Sequence, residues 1–145
     1  MGLNPSYADS KKDDPTLRRL IHFTCYWGYG LLVVVNLFAR ISDSPLTLQQ
    51  CKNPIGTMND HELREKLKFW ADNHNCDLWL GWGVNGKFLN RNTEVMKLIE
   101  KFYLHRIKQS PKASKPMVIG LTKGGHPRHP LYVKNGEVLK SFVIP

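Results

Sequence analysis

Acidic residues are scarce in this chain: 12 Asp and Glu stand against 21 Lys and Arg, leaving a net charge of +9 over 145 residues. That imbalance favours a polyanionic partner, most simply nucleic acid or a nucleotide. The plainer reading is a soluble protein that happens to be basic. Cysteine is also sparse. Cys25, Cys51 and Cys76 are widely spaced and form no CxxC pair, which argues against a zinc site and a disulfide framework. Reduced thiols in a cytoplasmic protein fit best. No histidine pair has metal-ligand spacing with supporting Cys or carboxylates, so no metal or other cofactor is expected. There is no GxGxxG turn opening a helix, which disfavours a dinucleotide fold. No apolar run is long enough to cross a bilayer and no signal peptide is evident, so no membrane partner is expected. The length suits one domain, 1–145, with room for a proper core.

What is present begins with Gly30-Leu31-Leu32-Val33-Val34-Val35-Asn36-Leu37-Phe38. A continuous β-branched run flanked by glycines reads as a strand buried on both faces. Such strands present ligands at their carboxyl ends, and Asn36 stands there with both a donor and an acceptor. That pairing suits an amide-like edge such as a pyrimidine base. The alternative is that Asn36 merely caps the strand and bonds a neighbouring loop.

Further strands are expected at 77–82 and 117–121, with a closing hairpin of 131–134 and 138–143 turned by Asn135-Gly136. Helices are expected from Asp14, as N-cap with Pro15 at the first position, over about 60–73 and over about 93–107. Strands alternating with helices predict an α/β fold, a three-layer α/β/α arrangement with a mostly parallel central sheet. His126 and His129 lie in one Gly-Pro-rich loop directly after the third strand, with Arg128 between them placed to grip a phosphate. Tyr7, Trp27, Tyr29 and Trp82 flank these motifs. Any could stack on a base, although at least two should be core.

Gly2-Leu3-Asn4-Pro5-Ser6, Asp13-Asp14-Pro15-Thr16-Leu17-Arg18-Arg19, Trp27-Gly28-Tyr29-Gly30, Asn36-Leu37-Phe38-Ala39 and Gly125-His126-Pro127-Arg128-His129-Pro130-Leu131-Tyr132 closely resemble the family catalogued as domain of unknown function 1643. The order of motifs is also similar, more distantly, to the uracil-DNA glycosylase superfamily. Gly2 to Ser6 resembles its water-positioning loop, Leu31 to Asn36 its base-reading strand, Leu80-Gly81-Trp82-Gly83 a strand end, and the His-Pro pairs its phosphate and leaving-group loop. This resemblance implies an N-glycosidic hydrolase acting on a modified or mispaired base. Asn4, Asp9, Asp13, His126 and His129 would then be catalytic, and Ser6, Tyr7, Asn36, Phe38, Trp82 and Arg128 would bind substrate. His129 or His126 would stabilise the departing base. Asn4 holds a water at most, because an amide takes no proton, so Asp9 or Asp13 would supply any general base. The alternative is a binding module that keeps the pocket without the chemistry. In the families it resembles, the Gly2–Ser6-like loop follows a hydrophobic strand, and here only Met1 precedes it. The expectation is a sheet short of one member, with an exposed edge open to a second copy.

Overall fold

Helix α1 (Pro15–Tyr26) starts where its capping chemistry places it: Asp14 Oδ1 accepts from the amides of Thr16 (2.7 Å) and Leu17 (3.0 Å), with Pro15 at the first turn. The computed structural model describes residues 1–6, 14–42 and 44–144. Helix α2 (Pro45–Gln49) is capped by Ser44, whose Oγ accepts from Thr47 N at 3.2 Å. Helix α3 (Asn59–Asp72) buries Leu63, Leu67 and Trp70, spaced to share one face. Helix α4 (Arg91–Gln109) buries Val95 and Ile99 and packs on α3. Strand β1 (Met117–Val118) pairs antiparallel with β2 (Lys140–Ser141). No described helix is long and apolar enough to cross a membrane.

This corrects the expected architecture. The described residues form four α-helices, two 3-10 segments and one two-stranded antiparallel sheet, not a three-layer α/β/α fold with a mostly parallel central sheet. The parallel contacts that do occur are isolated bridges, Gly2 to Asn36 and Trp79 to Met117. The run 31–35 is not a doubly buried strand: Leu31 is 72% exposed and Val33 52%. An apolar run reports a preference for extended backbone and for burial, but pairing partners along its length decide whether a ladder forms. Among the described residues this stretch forms one bridge, Asn36 to Gly2. The closing hairpin also differs. Residues 130–132 form a 3-10 turn, and 140–141 pair with β1 instead of with 131–134.

Residues 1–3 are nonetheless central. Gly2 N donates to Val35 O (2.8 Å) and Gly2 O accepts from Leu37 N (3.0 Å) on one side. On the other, the Met1 amino group donates to Trp79 O, and Met1 O accepts from Gly81 N (2.9 Å). Leu3, Leu37, Phe38, Leu63, Leu67, Leu80, Trp82, Val95, Ile99 and Val118 form the main core. A second cluster, Phe23, Ile119 and Val133 with Trp27 and Trp79, holds α1 in place.

Candidate functional site

A cavity of about 960 Å³ runs along these extended segments. Asp77 and Gly83 both line it, and the six residue steps of extended chain from one to the other span about 20 Å. It therefore has two ends. At the end near Gly83, the loop Asn4–Ser6, the N-terminus of α1, Asn36, Trp82 and the segment Arg128–Tyr132 contribute to one wall system.

Each of these groups is held by its own local chemistry. The backbone of Asn36 is clamped: Asn59 Nδ2 donates to Asn36 O (3.3 Å) and Leu37 O (2.8 Å), and Arg91 Nε donates to Leu37 O (2.8 Å). The Asn36 carboxamide lies across Gly2, where a Cβ would come within 2.6 Å of Asn36 Oδ1. Position 2 therefore has to be glycine for this rotamer to stand. Asn4 Nδ2 donates to Pro5 O (2.8 Å) and Ser42 O (2.9 Å), and Ser42 N returns a bond to Pro5 O (3.0 Å). These bonds staple the 4–6 loop to the segment entering α2, and they commit the amide nitrogen of Asn4 to backbone.

Ser6 Oγ donates to Asp14 Oδ2 at 2.6 Å. With the two capping amides on Oδ1, three donors engage the Asp14 carboxylate. His129 Nδ1 accepts from Leu131 N at 3.4 Å, an arrangement that assigns the neutral tautomer with its proton on Nε2. Burial pushes the His129 imidazole below its ordinary range, while the Asp14 charge pulls the other way. Gly83, at φ 73, lets the chain pass beneath this residue, where a Cβ would stand 3.3 Å from His129 Cβ. Arg128 Nε donates to Leu121 O (3.1 Å) and Arg128 N to Gly120 O (2.9 Å), fixing its stem at the rim beside Lys123.

Not every expected site residue comes here. His126 sits in the tip of the 122–126 turn, where its N–H donates to Thr122 Oγ1 (3.2 Å), and it does not line the cavity. Phe38 is fully buried against Phe88 in the core, so its expected part in binding substrate is corrected. Trp82 lines the wall but is only 2% exposed, which leaves little ring face for stacking. Tyr7, Asp9 and Asp13 lie outside the described residues. Sequence reading weighed Asp14 as a general base but favoured it as a cap, and missed Asn59 and Arg91 as supports of Asn36. Nothing in local periodicity marks them, since their partners are backbone carbonyls more than twenty residues away. Among the described residues no cluster of three His, Cys, Asp or Glu could hold a metal ion.

The chain matches the family model described as Protein of unknown function (DUF1643) over residues 1–131. It belongs to that family. Comparison with curated proteins and with solved structures found no match. The matched span contains every wall element of the Gly83 end apart from Tyr132.

Proposed function

We propose that the protein recognises a nucleobase and hydrolyses its N-glycosidic bond, acting on a modified or mispaired base in nucleic acid. One observation carries this reading: residues from three separate parts of the chain, Ser6, Asn36 and Arg128-His129, line one end of a single cavity. The order of motifs, which resembles that of uracil-DNA glycosylases, points the same way. The base is flipped into the cavity. Asn36 meets its pairing edge with one donor and one acceptor. Arg128 and Lys123 at the rim take the flanking phosphates. As the C1′–N bond breaks, its electron pair leaves with the base, and the Nε2–H of His129 stabilises the developing negative charge. Water adds to C1′ and gives up a proton, which the departed base takes up.

A specific observation favours a second reading, a module that binds without cleaving. The amide nitrogen of Asn4 is spent on backbone, and three donors already engage Asp14. The test separates the two readings. The purified protein is incubated with single- and double-stranded oligonucleotides carrying uracil, mismatches and common modified bases, and released base is read as strand cleavage after alkali. Release that disappears in both Asn36→Ala and His129→Ala supports hydrolysis. Salt-sensitive binding weakened by Asn36→Ala, with no release, supports the binding module. Neither release nor binding overturns both.

A further inference from the structure

The 3-10 segment Val84–Asn90 follows Gly83 directly, and Asn85 lines the cavity from its first turn. That turn is fixed at both flanks. Gly86 N donates to Gly83 O (3.3 Å), and Gly83 N donates to Pro127 O (2.9 Å). On the Gly83 flank a Cβ would stand 3.3 Å from His129 Cβ. On the Gly86 flank a Cβ would collide with Trp82 Cδ1 and stand 3.1 Å from Leu37 Cδ1, so the turn seats there only as glycine. Asn85 is therefore carried between the segment that holds His129 and the residue that follows Asn36.

The carboxamides around this end fall into two kinds. Those of Asn4 and Asn59 are spent on backbone carbonyls. Those of Asn36 and Asn85 have no hydrogen-bond partner among the described residues, although both line the cavity. Asn85 is half-buried. Its side chain offers one acceptor oxygen and an amino group that donates. Water satisfies these groups while the cavity is open. A base that closes the cavity must take over both bonds or leave them unmade, which is costly.

Two carboxamides ask more of a base than a single edge can give. A pyrimidine carries its hydrogen-bonding groups on the pairing edge, and the far side of its ring is carbon. A purine has a second polar edge, N7 with the 6-substituent, and adenine meets Asn or Gln there through two bonds. We propose that Asn85 reads this second edge, so that the base taken by the site is a purine with one donor and one acceptor there, as in the N6–H and N7 of adenine. Asn36 keeps the pairing edge. The inference rests on the nucleobase reading and narrows its substrate class.

The test uses dye-labelled single strands built of abasic tetrahydrofuran units, with one central base: adenine, 7-deazaadenine, uracil or none. Fluorescence anisotropy at fixed salt measures binding by the whole chain. 7-Deazaadenine keeps the pairing edge and the amino group but replaces N7 with C–H. Adenine should bind about tenfold more tightly than 7-deazaadenine or uracil. Asn85→Ala, which removes no bond within the described residues, should abolish the difference between adenine and 7-deazaadenine. Asn85→Asp should do the same, because it keeps the shape and loses the donor to N7. Asn36→Ala should weaken both purines and leave their ratio in place. Equal binding of adenine and 7-deazaadenine by the unaltered protein overturns the proposal without needing any variant. An equal loss on every strand in Asn85→Ala, the base-free strand included, also overturns it, since the contact would then be to the sugar–phosphate chain. In either case the nucleobase reading stands if a strand with a base still outbinds the base-free strand and Asn36→Ala removes that advantage. If no base improves on the base-free strand, both fail.

Discussion

Two regions of this molecule handle inward-facing backbone in opposite ways. Behind α3 the chain turns repeatedly, and one side chain answers for all of it. Arg106, fully buried, donates to the carbonyls of Trp70, Asn73, His74, Cys76 and Ser114 and to the Ser114 hydroxyl, with its guanidinium stacked 4.8 Å from the Trp70 ring centroid. At 31–35 the chain is extended and more apolar, yet among the described residues Val33 O and Val35 N pair with nothing. Hydrophobicity is therefore no guide to which segment is closed. A single well-placed cation completes the first region internally, and no described residue completes the second.

The largest effect should come from breaking the closed region. Arg106→Met keeps much of the stem volume and removes all six donations. Four carbonyls then lose their partner, while Asn73 O keeps the Cys76 amide (3.1 Å), at a cost on the order of 3–5 kcal/mol. Urea unfolding followed by circular dichroism measures it. Leu31→Ser in the open region sharpens the comparison, because an exposed residue should change stability by no more than about 0.5 kcal/mol despite its hydrophobicity. A comparable loss in both variants would mean that 31–35 is closed by something within the chain, and the contrast would fail.

A smaller effect tests how the open region is tied to the site. Gly2→Ala drives a methyl to within 2.6 Å of Asn36 Oδ1, so the carboxamide must leave its rotamer. Overpacking of this kind costs about 1–3 kcal/mol. The more telling readout is binding: nucleobase recognition should fall as far as in Asn36→Ala, while the unfolding midpoint moves much less than in Arg106→Met. Unchanged recognition would remove Asn36 from the reading role.

These contrasts also show what the sequence makes legible. Helix α1 was readable to its first residue, because Asp14-Pro15 is a local signal whose chemistry is complete within four residues. The faces of α3 and α4 were readable from periodicity, within about two residues at either end. The mostly parallel sheet was not, since Leu31–Val35 looks the same whether one edge or both are paired. The candidate site divides in the same way. Asn4, Ser6, Asn36, Arg128 and His129 were singled out for their chemistry and do line one cavity, whereas His126, three residues from His129, does not. What decides between those two histidines is a turn: Thr122 draws His126 back through Oγ1 and Pro127 O bonds Gly83 N, and this rotates the next residues toward the cavity. Arg106 and Arg91 were invisible for a related reason. Arginine in a helix reads as solvated until the carbonyls it satisfies have been folded around it.

The smallest effect is a pH dependence that separates the site from the rest of the fold. Burial holds the His129 imidazole below its ordinary range, and the Asp14 charge opposes this. The folded state thus binds a proton at position 129 less readily than the unfolded chain does. Stability is unaffected by this group above about pH 6.5, and falls as pH drops from there through the folded value, because the unfolded state gains its proton first. His129→Asn should flatten that part of the profile between pH 7.5 and 5 without changing the plateau above it. Asp14→Asn keeps an N-capping side chain but removes the opposing charge, so it should steepen the same fall. A profile that is identical in all three proteins would mean that His129 titrates as freely as a solvated histidine. Its Nε2–H would then have no sheltered environment in which to stabilise a departing base, and the hydrolytic reading would lose its acid while the clamped Asn36 could still bind.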